Sequence, residues 1–597
     1  MAQTVGDYLL HRLNAWGVDH VFSYPGDGIN GIVAAFGKTD DRPAYVQARH
    51  EEMAAFEATG YAKYTGRVGV VLTTSGPGAI HALNGLYDAK LDHVPVVAIV
   101  GHTARSKLGG SYQQEVDLQS LFKDVAAEYV VTVSVAEQLP DVIDRAFRIA
   151  HAEQAPTCII IPNDLQEEEY TPAEHIPKAV ESQAPGFVTP ITRAPDEEVG
   201  HAADVLNAGN KVAILVGQGA KGAADEVVEV AERTGAGVAK ALLGKDVLPD
   251  DLPFVTGSIG LLGSRPSWEL MQECDTLLMV GTSFPYAAFM PARGQARAVE
   301  IDIQGKFIGL RYPTEVNLVG DAAETLRALI PLLEHKSDRS WRDAIEKNVS
   351  HWWDTVERRS MTEADPINPM RVVWDLNSRI PHNAMVSSDS GSAANWFARQ
   401  LKVQRGMRCS LSGTLATMGP GVPYAIGAKF GNPERLAIAL VGDGAMQMNG
   451  MAELITMRRY YEEWSDPRAI VCIFHNNDLN QVTWELRAMG GHPMFEGSQS
   501  LPEVDYAGFA QSLGLHGVYV DKPEEIGEAW DDALRADRPT VLDVRTDPDI
   551  PPIPPHATVQ QMKDTAQALM SGDPEAWGVA EKGARTKLKD FLPGSRK

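Results

Sequence analysis

The chain has 597 residues, 44% of them apolar and 22% charged, which is an ordinary globular composition and predicts three or four domains. Its formal net charge of −25 argues against a nucleic-acid partner, because phosphates need a basic surface. The four cysteines have no paired-ligand spacing, and no secretory signal pattern precedes the first apolar run. We therefore expect a cytoplasmic protein without a zinc site or a disulfide framework.

Short apolar runs alternate with amphipathic helical stretches and glycine turns along the whole chain. This alternation is typical of parallel sheets with crossover helices. A proline-rich stretch, 167–196, and a charged stretch, 335–369, are interpreted as linkers. The prediction is an α/β protein with three parallel-sheet domains, spanning 1–185, 186–340 and 360–550, followed by a tail at 551–597.

In the first third, a predicted strand at 18–22 runs into a turn that contains Gly26, and a helix follows Arg49-His50-Glu51-Glu52. A carboxylate at such a position can serve general acid–base chemistry, or it can be a solvated charge at a helix start, where negative charge is favourable. We interpret Glu52 as a solvated charge, whereas for Glu51 local charge alone leaves both interpretations open.

In the middle third, the apolar run Val212–Val216 leads directly into Gly217-Gln218-Gly219, and another predicted strand ends at Asp302. Glycines after a strand let a backbone approach a pyrophosphate, and acidic residues at strand ends can hold ribose hydroxyls. Each of these signals is common by itself.

In the last third, one apolar strand ends in Gly442-Asp443-Gly444, and the next ends in Asn476-Asn477. The carboxyl ends of parallel strands meet at one sheet edge, where ligands bind. An aspartate and an amide oxygen are hard ligands for Mg²⁺ beside phosphate oxygens. The alternative is a tight turn with an unrelated asparagine pair, which is disfavoured because both motifs lie at consecutive strand ends.

These segments together resemble the thiamine-diphosphate enzymes. From Val5 to about Val544 the chain is similar to the pyruvate oxidase and acetolactate synthase branch, with the nearest similarity to pyruvate:quinone oxidoreductases. Arg49-His50-Glu51-Glu52, 84–88 and 281–286 carry the resemblance. It implies a homodimer or homotetramer of three-domain subunits, with the cofactor between the first domain of one subunit and the third domain of another.

The resemblance also implies roles for individual residues. The catalytic residues would be Glu51, Gln114 and Gly26. Mg²⁺ would be held by Asp443, Asn477 and the carbonyl group of Leu479. The contacts to thiamine diphosphate would come from Ser75, Gly76, Asn84, Ser390, Gly391, Ser392, Ala416, Met418, Gly442, Gly444 and Ala445.

The middle domain of this branch binds FAD in some members. The corresponding positions here are Gly217, Gly219, Gly257, Phe284, Asp302 and Asp321. The implied activity is oxidative decarboxylation of a small 2-oxo acid, pyruvate in the first place, with electrons passing through FAD to a quinone or to oxygen. The alternative is a carboligase of the acetolactate synthase kind, in which FAD is structural or absent.

Several positions depart from the family pattern. Gln113 stands where pyruvate enzymes have phenylalanine, and Ala287 stands where near relatives have arginine. The segment after Asn477 is one residue shorter, which leaves Val482 as the candidate hydrophobic pocket residue. Between Gly444 and Asn476 lie 31 residues, and we place the excess in a lengthened loop at 458–468.

The tail contains alternating basic and apolar residues at helical spacing. Such a segment can contact a membrane surface peripherally, or it can be an ordinary solvated tail. The residues concerned are Lys582, Arg585, Lys587, Leu588, Lys589, Phe591 and Leu592.

Overall fold

The structure, a computed structural model, describes residues 3–39, 42–170, 185–552, 554, 559–576 and 578–579. Three six-stranded sheets follow one another along the chain, and all paired strands within them are parallel. Helices connect the strands, and alternating strand residues of each sheet enter two separate hydrophobic cores, one on each face. The predicted fold class, three parallel-sheet α/β domains, is therefore confirmed.

The first sheet has the strand order β2-β1-β3-β4-β6-β5. Its strands are β1 (His20–Ser23), β2 (Ala44–Gln47), β3 (Gly69–Thr73), β4 (Val96–His102), β5 (Val130–Thr132) and β6 (Pro156–Pro162). Its helices are α1 (Val5–Ala15), α2 (Asn30–Phe36), α3 (Glu51–Thr65), α4 (Pro77–His81), α5 (Leu83–Leu91), α6 (Leu118–Phe122), α7 (Leu139–Glu153) and α8 (Asn163–Gln166).

The middle sheet has the order β12-β11-β10-β7-β8-β9. Its strands are β7 (Val212–Val216), β8 (Gly237–Lys240), β9 (Val255–Ser258), β10 (Thr276–Val280), β11 (Arg297–Asp302) and β12 (Val316–Val319). Its helices are α9 (Asp196–Ala208), α10 (Ala224–Thr234), α11 (Arg265–Glu273), α12 (Ala322–Leu329) and α13 (Ser340–Ser360).

The third sheet has the order β14-β13-β15-β16-β18-β17. Its strands are β13 (Met385–Ser388), β14 (Arg408–Ser410), β15 (Ala437–Gly442), β16 (Ala469–His475), β17 (His516–Val520) and β18 (Thr540–Arg545). Its helices are α14 (Pro369–Leu376), α15 (Ser392–Arg399), α16 (Gly421–Gly431), α17 (Asp443–Ala445), α18 (Met451–Tyr460), α19 (Asn480–Glu485), α20 (Glu496–Gln499), α21 (Tyr506–Ser512) and α22 (Ile526–Arg535), and α23 (Val559–Met570) follows.

Two π-helical turns interrupt the third domain, at Met446–Gly450 and Leu486–Gly490. The first follows α17, which begins within the Gly442-Asp443-Gly444 motif, and the second follows α19, which begins shortly after Asn476-Asn477. Turns of this kind are rare and are frequently found at functional sites.

The first and third domains pack through α3 and α16. A Cβ on Gly60 would lie 2.7 Å from the Cα of Tyr424, and one on Gly427 would lie 2.2 Å from the carbonyl oxygen of Glu57. The missing side chains therefore let the two helices approach closely. At this contact the ammonium group of Lys63 lies 2.7 Å from both the Asp92 carboxylate and the Tyr424 hydroxyl.

Two stretches differ from expectation. The stretch 335–369 contains the 21-residue helix α13, whose Ile345 and Val349 are buried in the core of the middle domain, so it extends that domain. In the stretch 458–468, the first residues continue α18 and a 3₁₀ turn covers Tyr461–Glu463, so the loop before β16 is shorter than expected. Residues 171–184 of the proline-rich stretch lie outside the described residues.

No helix among the described residues is both long and apolar enough to cross a membrane. The tail residues from Lys582 to Leu592, for which a peripheral membrane contact was considered, lie outside the described part of the chain.

Candidate active site

The carboxyl edge of the first sheet brings two glycine turns together. Strand β1 leads to Gly26 and β3 leads to Thr74, and a Cβ on Gly26 would lie 2.5 Å from the Cβ of Thr74. The backbone N–H of Gly28 donates to Oγ1 of Thr74 at 3.0 Å. Only a glycine at position 26 allows the two turns to lie this close.

Glu51 is the first residue of α3, and the residue is 7% exposed. Its Oε2 atom lies 3.0 Å from Nδ1 of His81. A Cβ on Gly78 would lie 2.9 Å from Oε1 of Glu51, so the glycine turn after β3 closes over the carboxylate. The imidazole of His50, the N-cap of α3, accepts the N–H of Glu52 and packs at 4.3 Å from the ring of His81.

Gln114 joins this group from the loop after β4. Its Oε1 atom accepts the Ser75 hydroxyl at 2.9 Å, and its backbone has a φ of +61°. Gly76 also has a positive φ, of +59°, and a Cβ there would lie 2.9 Å from the Cβ of Gln114. The structure thus places Gln114, Ser75 and Gly76 in contact on the same edge as Glu51. The sequence did not single out His81, because it forms no recognised pattern with Glu51.

Glu52 is not a solvated charge, contrary to expectation. The amide nitrogen of Asn84 donates to its Oε1 at 2.6 Å and to Oγ1 of Thr417 at 3.0 Å. Glu52 is half-buried as a result. Asn84 therefore links the start of α3 to the third-domain segment that contains Ala416 and Met418.

In the third domain, Asp443 begins α17 directly after β15 and is 2% exposed. Its Oδ2 atom accepts the backbone N–H groups of Asn476 at 2.8 Å and Asn477 at 2.6 Å, and Oδ1 accepts that of Gly444 at 2.9 Å. Burial raises the pKa of Asp443, and the N–H groups of Asn476 and Asn477 partly offset that shift. The two strand-end motifs are therefore joined, and a cation placed there would favour the ionised carboxylate.

The side chain of Asn477 is held by two neighbours. Its Nδ2 atom donates to Glu503 at 2.6 Å, and its Oδ1 atom lies 2.8 Å from Nε2 of His475. Burial is the largest single effect on the pKa of His475 and lowers it, but the hydrogen bond to Asp543 and the negative charges of Asp543 and Asp443 together raise the pKa above its usual value. The sequence did not reveal Glu503, which comes from a loop distant in the chain.

The carbonyl oxygen of Leu479, the third predicted metal ligand, accepts the N–H groups of Val482 at 2.9 Å and Thr483 at 3.2 Å. It thereby begins α19, directly after the asparagine pair. Its role toward the metal stays a prediction.

Asp389 connects the other two predicted cofactor turns, and the sequence did not identify it. Its carboxylate accepts the N–H groups of Gly419 at 2.8 Å, Gly421 at 2.9 Å and Ser390 at 2.9 Å. Burial raises its pKa to about 6, against the opposing effect of these donors. Asp389 therefore fixes the turn 390–392 next to the segment 416–421, where Ala416 has a φ of +54° and Met418 is half-buried.

Open space lies beside the predicted diphosphate turns. A Cβ on Gly442 would meet no atom within 4 Å, and one on Gly391 would meet only the Cβ of Gln481, at 4.0 Å. Both amide atoms of Asn449, in the π-helical turn after α17, are buried without a hydrogen-bond partner. The donor set and the open space fit a diphosphate and Mg²⁺: Asp443 and Asn477 would be the metal ligands, and the turn at Gly391 would face the phosphates.

The residues predicted to hold FAD lie along the carboxyl edge of the middle sheet. A Cβ on Gly217 would lie 2.3 Å from the carbonyl oxygen of Gly281, and the N–H of Gly219 donates to the same oxygen at 3.0 Å. The protein's own turn thus already explains these two glycines. Asp321 caps α12 by accepting the N–H of Glu324 at 2.9 Å.

The remaining flavin candidates also have contacts within the protein. Phe284 is buried near Gly260, Gly257 lies in β9 with a φ of +98°, and Asp302 accepts the N–H of Gln304 at 2.8 Å. A cleft of about 330 Å³ lies between this edge and the first domain, with Thr282 in its wall. FAD binding stays a prediction.

Comparison with known proteins places three family models along the chain. They describe the N-terminal TPP binding domain of thiamine pyrophosphate enzymes at residues 3–121, the central domain at 199–329 and the C-terminal TPP binding domain at 389–544. TPP is thiamine pyrophosphate, the same molecule as thiamine diphosphate.

Three curated proteins illustrate the range of relatives. YdaP of Bacillus subtilis, described as a thiamine pyrophosphate-containing protein, is 36% identical over 95% of this chain and 96% of its own length. Pyruvate oxidase of Lactiplantibacillus plantarum is 30% identical over 90% of this chain and 88% of its own. The large subunit of acetolactate synthase isozyme 3 of Escherichia coli is 30% identical over 89% of this chain and 92% of its own length.

Proposed function

This chain belongs to the thiamine pyrophosphate enzyme family that includes pyruvate oxidase and acetolactate synthase, and we propose that it decarboxylates a 2-oxo acid with thiamine diphosphate and Mg²⁺. The proposal depends above all on one observation. The buried carboxylate of Asp443 accepts the backbone N–H groups of Asn476 and Asn477, beside the open space at Gly442.

Glu51 is the proposed acid–base group. Its carboxylate is buried and has His81 at 3.0 Å, so a proton can be held between the two side chains. Toward the cofactor, Glu51 would share a proton with a ring nitrogen of the aminopyrimidine. When bound, thiamine diphosphate supplies an electron sink next to the carbon–carbon bond that breaks.

Gln114, Ser75 and Gly26 would form the substrate side of the first domain. The Ser75 hydroxyl donates to Oε1 of Gln114. The amide nitrogen of Gln114 would therefore be the group that donates a hydrogen bond to the substrate. Asp443, Asn477 and the Leu479 carbonyl would hold Mg²⁺, and the turn at Gly391 would accept the diphosphate.

We propose further that the complete site forms between two copies of the chain, in a homodimer or homotetramer. Exposed apolar side chains lie near the carboxyl edges of both cofactor sheets. Tyr24, Ile80 and Tyr112 lie on the first, and Met448 and Val482 on the third. Apolar surface at both half-sites is what a face-to-face assembly would cover.

For the overall reaction, we propose oxidative decarboxylation with FAD as the electron acceptor and a quinone or oxygen as the final one. In the case of pyruvate, water is consumed and acetate, CO₂, two protons and two electrons are formed. The resemblance to pyruvate oxidase supports this assignment. Acetolactate synthase-like carboligation is the second candidate, because the contacts of Gly217 and Gly219 with Gly281 explain these glycines without a flavin.

One experiment separates the two candidates. The protein is purified, its visible absorption spectrum is recorded, and a 2-oxo acid is added under anaerobic conditions with thiamine diphosphate and Mg²⁺. Bleaching of the flavin bands supports the oxidative reaction. CO₂ release together with a carboligation product and unbleached or absent flavin supports the carboligase. Absence of CO₂ release with every 2-oxo acid, despite bound cofactor, contradicts the proposed decarboxylation.

A further inference from the structure

A cavity of about 290 Å³ lies between the segment that follows the predicted metal residues and the C-terminal helix α23. The third domain lines it with residues of α19 and the π-helical turn after it, and α23 closes it from the other side. Its principal lining residues are Gln481, Trp484, Ala488, Met562, Thr565 and Leu569.

The cavity begins next to the predicted diphosphate turn. Gln481 is the residue whose Cβ lies 4.0 Å from a Cβ built on Gly391. Asn395, which also lines the cavity, is on α15, the helix that begins at Ser392. The Ser392 hydroxyl donates to Oδ1 of Asn480 at 2.9 Å, so the turn and the start of α19 are joined.

The C-terminal wall is fixed by a buried ion pair. The guanidinium of Arg487 donates to both carboxylate oxygens of Asp573, at 2.8 and 2.7 Å, and both side chains are 0% exposed. The N–H of Met494 also donates to Asp573, at 2.9 Å. The space is therefore part of the fold and is not a gap beside a loosely attached helix.

The chemistry of the lining is mainly apolar. Among the described residues around the cavity, Glu485 alone is charged. At this end Nδ2 of Asn395 donates to Oε1 of Gln481 at 2.8 Å, and Nε2 of Gln481 donates to Glu485 at 2.9 Å. Asn395, Gln481 and Glu485 thus satisfy one another, and most of the remaining lining side chains, Trp484, Met562 and Leu569 among them, are apolar.

We propose that this cavity receives the side chain of the substrate, so that the preferred 2-oxo acid carries an uncharged branched or aromatic side chain. At roughly 30 Å³ per water-sized group, the space holds a side chain of about six to ten carbon atoms. The inference rests on the proposed function and adds no chemical step to it. In the acid R–CO–COO⁻, the C1–C2 bond breaks to release CO₂, and the inference concerns only the group R.

The lining explains both parts of this selectivity. Each methylene group that enters an apolar pocket raises kcat/KM by about tenfold or more. The single methyl group of pyruvate would fill little of the cavity and would gain little of this binding energy. A second carboxylate, as in 2-oxoglutarate, would face the negative charge of Glu485 and an apolar wall that cannot solvate it.

The test measures CO₂ release by the full chain with thiamine diphosphate and Mg²⁺. The substrates are pyruvate, 4-methyl-2-oxopentanoate, phenylpyruvate and 2-oxoglutarate. We expect kcat/KM for the two apolar acids to exceed that for pyruvate at least tenfold, with 2-oxoglutarate the poorest substrate. Preference for pyruvate or 2-oxoglutarate would overturn the inference.

Thr565→Trp fills the cavity from α23, away from the predicted cofactor residues. It should lower kcat/KM for the apolar acids at least tenfold more than for pyruvate. Lys563→Trp is the matched control, because Lys563 lies exposed on the same helix and does not line the cavity. An equal loss for all substrates in Thr565→Trp, or the same pattern in Lys563→Trp, would contradict the assignment.

Calorimetry with 4-phenylbutanoate, which cannot lose CO₂ by this route, tests the cavity assignment separately from the proposed decarboxylation. If no 2-oxo acid is decarboxylated but 4-phenylbutanoate binds and Thr565→Trp removes the binding, the proposed function fails and the apolar site stands. If 2-oxo acids are decarboxylated but Thr565→Trp leaves 4-phenylbutanoate binding and substrate preference unchanged, the cavity assignment fails and the function stands.

Discussion

The Nδ1 atom of His81 lies 3.0 Å from Oε2 of Glu51, although 30 residues separate them in the chain. The contact forms because the glycine turn after β3 begins α4, which ends at His81 above the start of α3. It places a second proton-binding group next to the proposed acid–base carboxylate.

Replacing Glu51 with glutamine should lower the rate of CO₂ release by about 10²- to 10⁴-fold, because the amide cannot exchange a proton with the cofactor. Thiamine diphosphate should still bind, since Asp443 and the Gly391 turn lie in another domain. Calorimetry measures binding and a coupled CO₂ assay measures the rate. Glu52→Gln, in the same helical turn, is the control and should lose less than tenfold. Full activity of Glu51→Gln would refute its assignment.

His81→Ala should lower kcat about tenfold or more, because the Glu51 carboxylate loses the side chain that orients it. If His81 acts only by positioning Glu51, the double variant with Glu51→Gln should lose no more of its rate of CO₂ release than Glu51→Gln alone. The double-mutant cycle is measured on CO₂ release. Additive losses would mean that His81 acts independently of Glu51.

Glu503→Ala should raise the dissociation constant for the metal by about 10- to 100-fold, since Glu503 fixes the amide of Asn477 at 2.6 Å. Mn²⁺ binding in the presence of thiamine diphosphate, followed by electron paramagnetic resonance, measures this without reference to activity. Glu503→Gln keeps an acceptor oxygen and should restore most of the affinity. Glu528→Ala, exposed on α22, should have no effect. Unchanged affinity in Glu503→Ala would show that Asn477 needs no such support.

Asp389 should make stability depend on pH. Its pKa is about 6 in the fold, against about 3.9 in an unfolded chain. The folded state then binds the proton more tightly, so the contribution is fully present below about pH 4 and is lost as the pH rises through 6. Between pH 5 and 7.5 it should fall by about 1 kcal/mol.

The measurement compares the thermal midpoint of the wild type with that of Asp389→Asn. The wild-type midpoint minus the Asp389→Asn midpoint should be larger at pH 5 than at pH 7.5, by about 1 °C for a chain of this length. Asp521→Asn, an exposed position, serves as the control. A difference that is constant across this range, or that changes in the opposite direction, would contradict the burial argument.

Asp573→Ala should detach the C-terminal segment from α19, because it leaves the guanidinium of Arg487 buried without its main partner. Breaking a buried pair in this way costs about 3–5 kcal/mol. The segment 559–579 should become sensitive to trypsin and exchange its amide hydrogens faster, whereas the three sheets stay protected. Lys563→Ala is the exposed control. If protection of the segment is unchanged, the ion pair does not hold it.

The sequence by itself determined the fold class and the positions of the strand-end motifs. A local alternation of apolar runs and turns predicts parallel strands, and the carboxyl ends of parallel strands share one edge of the sheet. The sequence alone therefore pairs Asp443 with Asn477. Gly26, Gly76 and Gln114 were likewise identified by pattern, through a resemblance that extends along nearly the whole chain.

The tertiary structure alone decided which side chains support those motifs. These side chains are His81 beside Glu51, Asp389 between the turns at 390 and 419, and Glu503 on Asn477. They come from segments far apart in the chain, and the distances between those segments depend on how the crossover helices pack. The same packing buried Ile345 of α13 in the middle domain and gave Glu52 a partner, which reversed two expectations based on local charge. Sequence periodicity shows which face of an element is buried, but contacts between distant loops follow only from the assembled fold.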